Sequence, residues 1–108
     1  MQTEKPILTT SITAAAALTK QRFVSYTGGV CGAAARALGV ANANYDSGEQ
    51  AGVAVSGEIL VESGAAVSVG AQVESDASGR AIPFSAGVVN GVARDAATAA
   101  GQFIRIIR

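Results

Sequence analysis

Three glycines, Gly28, Gly29 and Gly32, follow an apolar stretch and precede a run of alanines in "FVSYTGGVCGAAARALGV". A strand, a glycine-rich turn and a helix in that order would aim backbone N–H groups and a helix N-terminus at the pyrophosphate of a dinucleotide. That chemistry needs a helix of about ten residues and a second parallel strand behind it. Here the alanine segment 33–38 is cut off by Gly39, and the residues beyond it read as loop and antiparallel strand. The stretch is therefore expected to be a strand over 23–26, a turn over 27–29 and further extended chain, with no affinity for nucleotides.

The other reactive side chains narrow the chemistry further. The chain has no histidine, which removes Ser-His-Asp and Cys-His catalysis and the usual general base near neutral pH. Cys31 is the only cysteine, so neither a disulfide nor a thiolate zinc site is available within the chain. It reads as a small buried hydrophobe. The segment "NYDSGEQ" lacks the alternating ligands and terminal glutamate of a calcium loop and reads as a solvated turn. Arg36, Arg80, Arg94, Arg105, Glu58, Glu62 and Glu74 read as solvent-facing positions among strand and turn residues. Arg105 and Arg108, in the closing strand, are the candidates for pairing between subunits.

Composition sets the frame that must position these groups. The 108 residues make one domain, and eight basic residues balance eight acidic ones without any basic block, so the footprint of a nucleic-acid binder is missing. Hydrophobic residues reach 49%, but tryptophan is absent and much of the apolar content is alanine. Such a chain buries little area per residue, and association with other copies or a larger surface is the natural remedy. No run approaches the ~18 apolar residues of a membrane span. The opening "MQTEKPILTT" does not read as a secretory signal, so synthesis and residence in a reducing cytoplasm, until assembly, are expected.

Period-two alternation recurs after Gly48: Val53, Val55, Ile59 and Val61 in one run, Val67, Val69, Ala71 and Val73 in the next. The residues 76–79 form a hairpin-type turn, Pro83 suits an edge or strand start, and "FIRIIR" closes the chain as a β-branched strand. The fold class is all-β, a small antiparallel barrel or sandwich with Gly/Ala-rich loops. A weak repeat supports it: Gly39-Val40-Ala41 leads through a small-residue loop to Gly48, and Gly91-Val92-Ala93 leads through a similar loop to Gly101. Residues 1–22 read as an N-terminal arm before a single β domain over 23–108. Within the arm, residues 2–13 are extended, and Pro6, Ile7, Leu8 and Ile12 are available for contact with another subunit or a larger surface, the apolar three by adding a strand to a neighbour's sheet edge.

The order "LGVA", small-residue loop, "VAVSGEILV", "VSVGAQVESDASGRA" and closing "NGVARDAATAAGQFIRI" resembles the head decoration, or capsid cement, proteins of tailed phages over residues 23–108. The resemblance implies an all-β fold, no cofactor and no catalytic residues. It also implies a place on the outer surface of the virion, clamping neighbouring major capsid proteins as a homo-oligomer, commonly a trimer. The alternative is a small non-enzymatic β-barrel binding or assembly module of bacterial or prophage origin. That module needs a concave aromatic or polar site, which Phe23, Phe84, Phe103, Tyr26 and Tyr45 are too few to build easily.

Overall fold

A computed structural model describes residues 3–108; Met1 and Gln2, the start of the expected arm, lie outside the described residues. Among the described residues there is no helix. The strands are β1 (Lys5–Thr13), β2 (Phe23–Ser25), β3 (Ala37–Ala41), β4 (Gln50–Glu62), β5 (Gln72–Ser75), β6 (Ala81–Pro83), β7 (Gly91–Ala93) and β8 (Phe103–Ile107). They pair antiparallel along the path β2-β3-β4-β8-β7-β5-β6, and β1 adds to β4. The ends of the path approach each other. Phe23 N–H donates to Gly79 O at 2.7 Å, and Gly64 N–H donates to Ala81 O at 2.8 Å, so the sheet is nearly closed into a barrel.

β4 is the spine. Val53 and Ala54 pair with β1 and β3 at once, and Glu58 with β1 and β8. A residue has only two edges, so β1 runs along one edge of β4 while β3 and β8 succeed one another on the other. Gly57 (φ +112) takes up the change of register between them. The expected arm is thus built into the protein's own sheet.

The core is made of small residues. Of the twenty buried apolar residues among those described, eight are alanine, which brings the strands close around a narrow interior. Phe23, Ile59, Val61, Val73, Ile104 and Ile106 fill it. A second cluster lies on the other face of β3 and β4, where Ala14, Leu18, Val24, Ala41, Ala51 and Val53 pack with Ile12 and Tyr45. This is why Val40 and Ala41, on opposite faces of β3, are both buried.

The weak sequence repeat is a structural one. Leu18 bridges Tyr45 as Val67 bridges Ala97. Gly48 N–H donates to Ala14 O at 2.7 Å, as Gly101 N–H does to Ser63 O at 2.8 Å. Gln21 (φ +63) and Gly70 (φ +82) both adopt left-handed backbone and donate to Ala41 O and Ala93 O. Thr13 pairs with Gln50 as Glu62 pairs with Phe103. Each half therefore runs strand, loop, hairpin, Gly-Val-Ala strand, loop and returning strand, and β4 ends the first half and begins the second.

The residues 67–73 differ from expectation. The left-handed Gly70 turns the chain back so that Ala71 N–H donates to Ser68 O at 3.1 Å; only Gln72–Ser75 is strand and Val69 is exposed. The turn at 76–79 forms as read, with Asp76 Oδ1 accepting from Ser78 N–H and Arg80 N–H at 2.9 and 2.8 Å.

Candidate functional site

The glycine stretch forms no phosphate cradle. Gly28 (φ +94) closes a tight turn with its N–H on Ser25 O at 3.1 Å, and its O accepts from Ala15 N–H at 3.0 Å. A side chain there would strike the Thr13 backbone. The glycine serves packing of the loop after β1 onto the β2 hairpin. Cys31 is fully buried, its thiol directed at Ala35 O at 3.5 Å, and burial pushes its pKa up. Among the described residues there is no pocket, and no group of three or more His, Cys, Asp and Glu side chains that could hold a metal.

Eight of the sixteen charged side chains join ion-pair lattices. Glu58 Oε1 lies 3.3 Å from Arg94 Nε and 3.2 Å from Arg105 Nη1, while Arg105 makes a forked contact to Asp95 at 2.8 and 2.9 Å. Glu58 Oε1 is buried without a well-aligned hydrogen bond, so its two arginine contacts are charge contacts rather than directed bonds. The Asp95 carboxylate raises the Arg105 pKa, chiefly through that hydrogen bond. Glu62 takes Arg22 Nε and Nη2 at 3.2 and 3.3 Å. Arg80 Nη1 joins the set 3.9 Å from Glu62 Oε2, and Arg80 Nε pairs with Asp76 at 3.2 Å.

Several of the charges read as solvated are enclosed. Glu74 is only 5% exposed. Its Oε1 accepts from Ser85 N–H at 2.7 Å and Gly87 N–H at 3.3 Å, so the carboxylate shapes the loop 84–89. The Ser85 N–H bond chiefly holds its pKa below the ordinary value, with burial opposing. Glu58 and Glu62 are half-buried, each between two arginines, Arg94 and Arg105 for the first and Arg22 and Arg80 for the second. No local pattern announces these partners, which are brought by the barrel from far along the chain.

The expected contact residues separate into three groups. Pro6, Ile7 and Leu8 lie where β1 is bulged against β4, and Ile7 is 85% exposed. Ile12 packs half-buried against the second core cluster. Arg105 is engaged within its own chain, and Arg108 folds inward, its Nη2 donating to Ala37 O at 3.1 Å and Leu38 O at 3.5 Å. Sequence reading missed the outer edge of β1: this strand pairs only with β4, so its other edge is unpaired among the described residues. The alternation over 7–12 was the signal for a strand; the edge itself is a property of the assembled sheet. Val92 and Ile107, cross-strand neighbours on β7 and β8, add an exposed apolar pair.

A family model described as phage cement protein matches residues 1–108. The fold is similar to the head fiber gp8.5 N base in bacteriophage phi29. The TM-score is 0.78 at 20% sequence identity, covering 93% of this chain and 92% of that one. At that identity the likeness is one of fold. No match is found among curated proteins. An all-β chain that the family model matches over residues 1–108 leads to one conclusion: it belongs to the phage cement protein family and is a structural protein of the phage capsid.

Proposed function

We propose that the protein attaches to the outer surface of the capsid shell and clamps neighbouring copies of the major capsid protein, self-associating as a trimer. The observation that carries this reading is the unpaired outer edge of β1. Asn42 N–H donates to Gly52 O, so Gly52 turns its polar groups toward β3, while Ala51 and Val53 turn theirs toward β1. Their partners Ile12 and Thr10 complete that ladder, and the N–H and C=O groups of Thr9 and Ser11 point outward. The bulges at Pro6 and Leu8 blunt the first part of the edge and the Gly28 turn covers it at Thr13 and Ala15; the regular stretch over 9–12 is open to an extended segment of a neighbour. The exposed Ile7, Leu8, Val92 and Ile107 offer apolar area beside it. A trimer would multiply such contacts, each weak by itself. The phi29 chain of the same fold, the N base of a head fiber, is compatible with this placement.

The test is co-sedimentation with expanded, undecorated capsids. The wild-type protein is expected to bind at a fixed ratio to the shell protein. Ser11→Pro removes an outward N–H without touching the β1–β4 ladder. It is expected to weaken binding about tenfold or more, one edge hydrogen bond plus the steric block. No binding by folded wild-type protein to its own phage's capsids would end the reading; unaltered binding by Ser11→Pro would remove the edge from it.

A further inference from the structure

Six arginines are present, and four of them, Arg22, Arg80, Arg94 and Arg105, are matched to carboxylates. Arg36 and Arg108 are not: among the described residues neither has a carboxylate partner. They are also neighbours. Arg108 reaches across to the start of β3, where its Nη2 donates to the carbonyls of Ala37 and Leu38, the residues directly after Arg36. Its other terminal nitrogen, Nη1, is buried without an acceptor from the protein. Ser25 pairs with Ala37, which sets Tyr26, 59% exposed, alongside Arg36. Burial chiefly lowers the Arg108 pKa, and the charge of Arg36 adds to the lowering.

Two guanidinium groups that feel one another's charge with no carboxylate paired to either are an unfavourable arrangement that a carboxylate relieves, because a planar fork donates to its two oxygens in parallel. The geometry points to a carboxylate-binding site formed by Arg36 and Arg108 with Tyr26 at its rim, whose ligand is an Asp or Glu side chain of the partner protein. A phosphate backbone fits less well, since the other four arginines are already matched to carboxylates and no basic track leads away from the pair. Arg36, exposed, makes the first contact, and Arg108 Nη1, which has no acceptor from the protein, is the second donor. As the site on which a capsid protein would dock, this inference rests on the function proposed above, but carboxylate recognition is a property of the isolated chain.

Two measurements separate the two ideas. In the isolated protein, N-acetylglutamate amide titrated against chloride at matched ionic strength is expected to shift the Arg36 and Arg108 side-chain 15N resonances and leave that of Arg94 in place. Equal responses in the two salts overturn the site. On capsids, Arg36→Glu is expected to lower affinity at least tenfold and Arg36→Lys by a smaller factor, with the fold checked by circular dichroism. Capsid binding by wild type that Arg36→Glu leaves unchanged overturns the docking role while the capsid reading stands. If wild type does not bind capsids, that reading falls, and the titration alone decides whether the arginine pair takes a carboxylate.

Discussion

Asn90 ties the wall of the barrel to the loop that precedes β3, and its truncation gives a quantitative test of the fold. The residue is 3% exposed. Its Oδ1 accepts from Ala37 N–H at 3.0 Å, and its Nδ2 donates to Ala35 O at 3.0 Å. In Asn90→Ala, Ala37 N–H, on a fully buried residue, is left without an acceptor, at a cost of about 1–3 kcal/mol. Ala35 O is half-buried and keeps the weak Cys31 thiol contact, so its loss is closer to 0.5–1.5 kcal/mol, roughly a net hydrogen bond. Together they destabilise by about 2–4 kcal/mol, a large share of the ~5–15 kcal/mol that holds a small domain. With a urea m-value of about 1–2 kcal/mol/M, the midpoint falls by roughly 2 M. The assay is equilibrium urea unfolding at one fixed protein concentration, followed by fluorescence and circular dichroism. A loss below about 1 kcal/mol with an unchanged m-value would refute the reasoning, since it would mean that the two backbone groups find partners without Asn90.

Glu74 has a folded-state pKa below its unfolded value, so its contribution is fully present above the unfolded pKa, near 4.5, and is lost as pH falls through the folded one. Thermal melts between pH 7 and 3 are expected to show a steeper acid loss in wild type than in Glu74→Gln. Gly28→Ala must adopt left-handed backbone and meet the Thr13 carbonyl, whereas Gly48→Ala, at φ +91, faces open space; the second is expected to cost about 1 kcal/mol and the first clearly more in the same unfolding assay. Cys31, buried with a raised pKa, is expected to react with an aromatic disulfide reagent only in denaturant; rapid reaction in buffer would contradict its burial.

What was legible in the sequence was local. Alternation at Ile59 and Val61, the Asp76 turn and the β-branched close at 103–107 all appear in the structure, because each is decided by neighbours a few residues away. The stretch around Val69 departs from expectation because period two says nothing of backbone handedness, and Gly70 is left-handed. Glu74 reads as solvated because its partners, Ser85 and Gly87, meet it only once β5 and β6 have paired. The unpaired edge of β1 and the company of Arg36 and Arg108 were invisible for the same reason: both depend on which strands β4 and β8 adjoin.

The strand that both halves share has a consequence for cooperativity. In a chain built of two alike units, each unit is free to melt by itself if its contacts are its own. Here the returning strand of the first half and the opening strand of the second are one continuous segment, Gln50–Glu62. β1 has no partner until that segment exists, and β8, its other long partner, comes from the end of the chain. Neither half can come undone without stripping an edge from the spine of the other. The duplication therefore yields one all-or-none unfolding unit rather than two.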